Sequence, residues 1–133
     1  MTFSPAACDT ILQFFKDTDS QPDEYDCIFT GDLGQVGTDL LYKLSEQAGV
    51  TLRGRHDDCG LLIYDRTKQD VHAGGSGCGC SAAVLCTHIL NGFKTGEYHR
   101  ILFCATGALL SPTSVMQGEI IPAIAHLIEI TDF

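Results

Sequence analysis

The sequence has few basic residues: eight lysines and arginines stand against seventeen aspartates and glutamates, which gives a formal net charge of −9. A nucleic-acid-binding domain needs clustered positive charge that displaces counterions from the phosphate backbone. The shortage of lysine and arginine therefore argues against nucleic acid as the main partner.

The sequence also lacks long apolar runs. No run approaches the roughly eighteen residues that a membrane-spanning helix requires, so we expect any membrane association to be peripheral. Residues 1–5 contain neither the basic nor the apolar region of a secretory signal. The seven cysteines are an odd number, and several lie within apolar runs. We therefore expect reduced thiols in a cytosolic compartment, where cysteine serves as a small apolar side chain.

The chain has no internal repeat, charge block or low-complexity tract. Its 133 residues, 44% of them hydrophobic and 19% charged, are enough for one core of ordinary size and too few for two. We therefore expect a single domain over residues 1–133. Predicted helices and strands alternate along the chain, which favours an α/β layer fold around a mixed sheet.

The first predicted helix runs from Ser4 to about Lys16, with Ser4 as its N-cap and Pro5 at its first position. The remaining expected elements are, in order, a strand over 25–30, a glycine-punctuated turn over 31–37, a helix from Thr38 to about Ala48, an exposed loop over 50–58, a short strand over 61–64, a helix from about Cys78 to Phe93, and strands over 100–106 and 119–131.

The helix that starts near Cys78 has an unusual composition. From Ser81 onward apolar side chains lie around nearly its whole circumference, and a helix without a polar face belongs inside a protein. A lone αβα domain leaves one face of each helix in water. We therefore expect a second half of a larger protein, or a second copy of this chain, to cover this helix.

The segment before this helix, HAGGSGCGCSA at 72–82, admits several chemical interpretations. A phosphate loop needs a Lys-Ser/Thr pair that is absent, and the glycine spacing does not fit a dinucleotide fingerprint. Cys78, Cys80, Cys86 and His88 are zinc-binding residue types at the wrong spacing. A cysteine nucleophile, Cys78 or Cys80 with His72 as base, stays open. Otherwise the glycines serve only to let a strand turn tightly into a helix.

Three glycine-bearing turns follow one another: TGDLGQVG at 30–37, DVHAGGSGCGCSA at 70–82 and ATGALLSP at 105–112, accompanied by DCGLLIYD at 58–65 and IPAIAH at 121–126. In this combination the chain closely resembles the C-terminal half of the stage V sporulation protein AD family of spore-forming bacteria, over about residues 4–130. The resemblance implies the C-terminal half of a thiolase-like fold. Such a half has a mixed five-stranded sheet with helices on both faces, and its central buried helix would be that of residues 78–93.

The resemblance also implies a function in sporulation. The chain would be a component of the machinery that loads dipicolinic acid into the spore, where it binds dipicolinate, scaffolds a membrane complex, or does both. It would lie at the cytoplasmic side of the inner forespore membrane, with other stage V sporulation membrane proteins as partners. It would pair with an N-terminal thiolase-like half or with a second copy as a homodimer.

The catalytic residues of thiolase-like enzymes are not matched here. The histidine expected in the first turn falls at Asp32 or Leu33, and the asparagine-bearing turn reads Gly74-Gly75-Ser76. Without an imidazole and an oxyanion donor, acyl condensation is hard to sustain, so we expect a non-catalytic chain. The alternatives are residual acyl transfer by a cysteine nucleophile, and an assembly component with no ligand of its own.

The same three turns would line the old active-site pocket. Amides at the starts of the helices after Gly37 and Gly77 would receive the carboxylates of dipicolinate, and the hydroxyls of Thr30, Ser76 and Thr106 would add hydrogen bonds. The candidate ligand-binding residues are Thr30, Gly31, Asp32, Gly75, Ser76, Cys78, Thr106 and Gly107. No acidic spacing forms an EF-hand loop, so we predict no metal site and no cofactor.

Overall fold

The computed structural model describes residues 3–108, 116–118 and 122–132. Its helices are α1 (Ser4–Thr18), α2 (Gly34–Gln47), α3 (Cys59–Leu62), α4 (Cys80–Val84) and α5 (Leu90–Thr95), and its strands are β1 (Cys27–Thr30), β2 (His56–Asp58), β3 (Arg100–Ala108) and β4 (Ala123–Thr131). A π-helical turn, Leu85–Ile89, joins α4 to α5. These three segments together form one helix over residues 80–95 whose α-helical geometry is interrupted by the π-helical turn, and we call it the interrupted helix.

The strands form one mixed sheet in the order β2-β1-β3-β4. β1 pairs in parallel with both β2 and β3, whereas β3 and β4 are antiparallel. The mixed α/β architecture is confirmed. The five strands that the resemblance implied are wrong for the described residues, which supply four. The strand expected over 61–64 does not form, and the unpredicted β2 is present instead.

Alternate side chains of the central strands enter two separate apolar cores. Ile28 and Leu102 pack towards α1 and α2, while Phe29 and Ile101 pack towards the interrupted helix. This alternation follows from the period of two along a strand. The prediction of helices on both faces of the sheet is therefore confirmed.

The first helix begins at the predicted residue, with a different role for Ser4. Phe3 is the N-cap, and the buried Ser4 hydroxyl donates to the carbonyl of Gly37, 2.8 Å away, in α2. Ile11 and Phe15, four residues apart on one helix face, are buried in the core beneath. Ser4 thus fastens α1 to α2 instead of capping its own helix.

Three other segments differ from the predictions. Residues 50–58 are not one loop, because 56–58 form β2. Residues 61 and 62 belong to α3 and not to a strand, since a short apolar run does not distinguish helix from strand. Helix α2 begins at Gly34, before the predicted Thr38, because a buried carboxylate described below caps it there.

The predicted central helix forms, but in this chain it is not buried. Its inner face packs on the sheet through Cys80, Val84 and Ile89. Its outer face is exposed and carries the small or apolar Ala82, Ala83, Cys86 and Leu90 together with the polar Thr87, His88 and Asn91. The prediction of a buried helix is wrong for this chain by itself, and the partner expected to cover it stays a prediction.

The last strand begins directly after the exposed Pro122. The earlier part of the predicted strand, 119–121, and most of the loop in the third glycine-bearing turn, 109–112, lie outside the described residues. Within the described part of the chain, no helix has both the length and the apolar character needed to cross a lipid bilayer.

Candidate functional site

The candidate site lies where the carboxyl ends of β1, β2 and β3 meet. These three strands run in the same direction, so the turn after β1, the segment after β2 and the described end of β3 lie at one edge of the sheet. In open α/β sheets, ligands bind in the crevice at this edge. The three glycine-bearing turns predicted to form the site are therefore brought together.

Asp32 joins these turns through its carboxylate. One oxygen, Oδ1, accepts a hydrogen bond from the Thr106 hydroxyl at 2.9 Å. The other, Oδ2, accepts from the Ser76 hydroxyl at 3.1 Å and from the Gly77 N–H at 3.3 Å. A single side chain thus connects the turn after β1, the glycine-rich turn and β3.

An open cleft of about 450 Å³ lies beside this junction, lined by Phe3, Asp32, Ser76, Gly77, Cys78, Ser81, Thr106 and Gly107. It contains five of the candidate ligand residues: Asp32, Ser76, Cys78, Thr106 and Gly107. A second cleft of about 330 Å³ shares Phe3, Asp32 and Ser76 with the first and extends towards α2. Among the described residues, no lysine or arginine lines either cleft.

The other three candidate residues have different positions. Thr30 has no exposed surface and lies beneath the clefts. Gly31 is buried, and a Cβ there would lie 2.6 Å from the Thr106 Oγ1, so glycine lets the first turn approach β3. Gly75 lines the smaller cleft, and a Cβ there would collide with the Ile63 Cγ2.

The structure changes the prediction for the helix amides. In α2 the N–H groups of Leu33 and Gly34 donate to Asp58, and that of Gln35 donates to the Ala73 carbonyl at 2.8 Å. The start of α2 is therefore occupied, and the expectation of free amides after Gly37 is wrong.

At the start of the interrupted helix, the Gly77 N–H is bound to Asp32. The next two N–H groups, those of Cys78 and Gly79, have no acceptor within the described residues. Cys78 lines the larger cleft, so its N–H is available there, and the Gly79 N–H lies next to it in the chain.

A buried hydrogen-bond chain lies beneath the clefts. An ionised Asp58 only accepts, so the Thr30 hydroxyl donates to it at 2.5 Å. Thr30 then accepts from the Nε2–H of His56 at 2.9 Å, and the Nδ1 of His56 accepts from the Tyr42 hydroxyl at 2.9 Å. Burial lowers the pKa of His56 to about 4, which agrees with the neutral imidazole that this order requires. Burial also raises the pKa of Asp58.

Sequence reasoning missed the role of Asp58, His56 and Tyr42. Asp58 is fully buried at the end of β2, although His-Asp-Asp at 56–58 has the composition of an exposed loop. The available signal was the juxtaposition of an imidazole and two carboxylates directly before an apolar run, because clustered titratable groups often mark buried polar networks.

The two candidate nucleophiles have unequal environments. Burial, together with the nearby charges of Asp32 and Asp58, raises the pKa of the Cys80 thiol, so its thiolate is disfavoured. Cys78 is exposed. The proposed base, His72, has its Nδ1 3.7 Å from the Asp70 carboxylate, and no hydrogen bond joins it to either thiol within the described residues. Among the described residues, no three or more histidine, cysteine, aspartate or glutamate side chains form a group that could hold a metal ion.

The chain matches known proteins over almost its whole length. The family model described as Stage V sporulation protein AD matches residues 1–131. The chain is also 50% identical, over 123 residues, to the Stage V sporulation protein AD of Bacillus subtilis (strain 168). That match covers 92% of this chain and 36% of the relative, so the chain spans little more than a third of the relative's length.

Proposed function

Because this chain belongs to the stage V sporulation protein AD family, we propose that it acts in sporulation as a non-catalytic domain that binds dipicolinate in the larger cleft. One observation carries the proposal: the Asp32 carboxylate joins all three glycine-bearing turns and leaves the cleft of about 450 Å³ beside them. The sporulation role rests on the family, and the ligand is our proposal.

The lining of the cleft suits a flat ring that carries carboxylates. The free N–H groups of Cys78 and Gly79 lie at the start of the interrupted helix, where backbone amides and the helix dipole favour an anion. The Ser81 hydroxyl is a further donor in the same wall. Phe3 contributes an apolar ring for contact with the pyridine. One carboxylate of dipicolinate would therefore occupy the start of this helix.

Charge sets the expected affinity. Asp32 places a carboxylate in the cleft, and its three hydrogen-bond donors offset this charge only in part. No lysine or arginine among the described residues lines the cleft, and the whole chain carries a formal charge of −9. A dianion therefore needs additional positive charge. We assign its source to the part of the relatives that this chain does not span, and we expect this chain alone to bind weakly.

The absence of catalysis is part of the proposal. Asp32 and Leu33 stand where the family resemblance places a histidine. The raised pKa of Cys80 and the lack of a hydrogen-bonded base at Cys78 argue against a reactive thiolate. His56 is engaged by Tyr42 and Thr30 below the cleft. No observation in the site favours acyl transfer over binding.

The exposed face of the interrupted helix supports a proposal on assembly. Its small side chains, Ala82, Ala83 and Cys86, would let another helix approach closely. We propose that an N-terminal thiolase-like half, or a second copy of this chain, covers this face. We also propose that the assembled protein associates with other stage V sporulation membrane proteins at the cytoplasmic side of the inner forespore membrane.

Calorimetric titration of dipicolinate tests the ligand. We expect weak heat with this chain and stronger heat with a protein that also contains the N-terminal half. Isophthalate, which has the same two carboxylates but no ring nitrogen, measures how much binding depends on the pyridine. Thr106→Val removes a hydroxyl that holds Asp32 and is expected to weaken binding severalfold. Thr51→Val, an exposed threonine in the loop after α2 that lines neither cleft, is the matched control.

Two results would count against the proposal. Absence of heat with both proteins would reject dipicolinate binding and leave the assembly component as the better interpretation. Equal losses in the Thr106 and Thr51 variants would reject the cleft as the site.

A further inference from the structure

We propose that the outer edge of β4 binds an extended, basic segment of a partner protein, which adds to the sheet as a fifth strand. The inference rests on the backbone of β4 and on the groove between β4 and α1. It is independent of the dipicolinate site.

The backbone of β4 directs the N–H and C=O groups of alternate residues away from β3, towards its outer edge. The Arg100 carbonyl accepts from the Asp26 N–H at 2.9 Å, on the β1 side, so Arg100 does not bond to its cross-strand neighbour Thr131. The Asp132 N–H instead donates to the His99 carbonyl at 2.9 Å. In an antiparallel pair, residues that hydrogen-bond to the partner strand alternate with residues whose N–H and C=O groups point away from it. The outward-facing residues are therefore Ala123, Ala125, Leu127, Glu129 and Thr131.

A contact from α1 agrees with this assignment. The Thr10 hydroxyl donates to the Ala125 carbonyl from outside the sheet, at 2.9 Å. This carbonyl therefore points away from β3. Among the described residues no strand pairs with this edge, because β4 is last in the strand order.

Beyond Ala125, where α1 reaches the edge through Thr10, β4 lacks the usual features that prevent strand addition. Natural sheets protect their edges with short strands, proline, lysine or bulges, or cover them with a helix or loop. β4 is nine residues long, contains neither proline nor lysine, and keeps one uninterrupted register with β3. Its acidic residue, Glu129, is tied to Arg100 at 2.5 Å, and Ile128 is 53% exposed. Such an edge is suited to pairing with another extended chain.

The groove beside this edge determines the charge of the partner. It has a volume of about 390 Å³ and is lined by Asp9, Thr10, Gln13, Phe14, Asp17, Ala125, His126 and Leu127. Its two carboxylates, those of Asp9 and Asp17, form no salt bridge within the described residues. An added strand would run beside these unneutralised charges, so its side chains on the α1 side are expected to be basic.

The same charges argue against a second copy of this chain as the occupant. Pairing two β4 strands would bring two acidic grooves together between chains that each carry a formal charge of −9. Spacing also fits a basic strand. Asp9 and Asp17 are eight residues apart on α1, about 12 Å along the helix axis. Residues four apart in a strand lie on the same face and about 13 Å from each other.

A nine-residue peptide of alternating pattern, TVKVTVKVT, is the probe. Its lysines are at the third and seventh positions, on one face, and its valines form the other face next to Ile128. A second peptide carries glutamate at both lysine positions. A third keeps the lysines but is N-methylated at alternate residues, so that it cannot donate the hydrogen bonds of a strand pair. Binding to this chain is measured by fluorescence anisotropy of labelled peptides.

Amide hydrogen exchange locates the bound peptide. We expect protection of the outward N–H groups of Leu127 and Glu129 on addition of the lysine peptide, and no binding of the N-methylated peptide. The double variant Asp9→Asn, Asp17→Asn should weaken binding about four- to twenty-five-fold, since each exposed ion pair contributes about two- to fivefold. Asp39→Asn, an exposed aspartate on α2, is the matched control and should leave binding unchanged.

The possible contrary results are distinct. No binding at about 1 mM lysine peptide would overturn the proposal. Equal binding of the N-methylated peptide would reject strand addition, and equal binding of the glutamate peptide would reject the basic partner. A dimer in sedimentation, with the Leu127 and Glu129 amides protected without peptide, would show that a second copy occupies the edge.

Discussion

Replacement of Asp58 tests the buried network beneath the candidate site. This side chain has no exposed surface and accepts hydrogen bonds from Thr30, Leu33 and Gly34. Asp58→Ala would leave one hydroxyl and two N–H groups without an acceptor and would remove the cap of α2. A lost cap costs about 1 kcal/mol, and each buried donor left unpaired costs about 1–3 kcal/mol. Because water entering the new cavity would satisfy some of these donors, we expect a loss of about 3–5 kcal/mol.

Asp58→Asn is the isosteric comparison. The amide keeps one acceptor oxygen but directs an NH₂ group at one of the three donors, so we expect a smaller loss of about 1–3 kcal/mol. The difference should also depend on pH. Burial raises the pKa of Asp58 above its ordinary value of 3.8, so the folded protein binds the proton more tightly than the unfolded chain. The wild type therefore loses stability as pH rises from about 3.8 through the raised pKa, and the cost of Asp58→Asn should shrink over that interval.

Urea unfolding followed by circular dichroism measures these changes. Thr30→Val, alone and combined with each Asp58 variant, completes a double-mutant cycle, for which we expect a coupling free energy of about 1–3 kcal/mol between the two side chains. A loss below about 1 kcal/mol for Asp58→Ala would refute the reasoning, as would a coupling free energy near zero.

Three further predictions concern the same region. Because burial lowers the pKa of His56 from 6.5 to about 4, the wild type should lose stability as pH falls from 6.5 towards 4; urea midpoints of His56→Gln should lack this loss, and an unchanged profile would contradict it. Gly60→Ala should cost about 1–3 kcal/mol, because its Cβ would lie 2.5 Å from the Gly75 carbonyl oxygen; Gly79→Ala, with open space at its Cβ, should unfold near the wild-type urea midpoint, and equal costs would show that the Gly60–Gly75 contact is unimportant. Among the seven cysteines, exposed Cys78 and Cys86 should be alkylated fastest by iodoacetamide, whereas burial raises the pKa of Cys27 and of Cys104 to about 12; fast labelling of Cys80, read by mass spectrometry, would revive the nucleophile hypothesis.

Local patterns in the sequence were sufficient for several elements. The spacing of Ile11 and Phe15 and the placement of Pro5 predicted α1, because helix periodicity and N-terminal proline are determined by nearby residues. The apolar runs of β1 and β3 likewise predicted strands, which the structure places at the centre of the sheet. In each case the residues that define the element are also those that enter its core.

Elements that depend on distant partners were not predictable in this way. β2 consists of three polar residues, and His56 and Asp58 are accommodated there only because Thr30, Tyr42 and the start of α2 supply hydrogen bonds. Helix α2 likewise begins earlier than predicted, because Asp58 from β2 accepts hydrogen bonds from the N–H groups of Leu33 and Gly34. The composition of the interrupted helix indicated burial, but that burial requires a surface that this chain does not itself supply.

The candidate site was predicted in outline. The resemblance brought the three glycine-bearing turns together, and the structure places Asp32, Ser76 and Thr106 in direct contact. The sequence alone did not indicate that Thr30 would be enclosed below the clefts, since its hydroxyl is oriented by Asp58 from another strand. Side-chain partners of this kind are separated by many residues and leave no local pattern.

The position of α1 has a consequence for biosynthesis. This helix is the first element of the chain, yet it packs on β4, the last strand, and Thr10 bonds to Ala125 across 115 residues. Contacts between such distant positions slow folding, because a long loop must close before they form. While the chain is still emerging from the ribosome, the apolar stripe of α1 has no finished sheet beneath it. Helix α1 is therefore synthesised before β4 but reaches its native packing only once β4 is in place, and its apolar stripe stays open to chaperones in the interval.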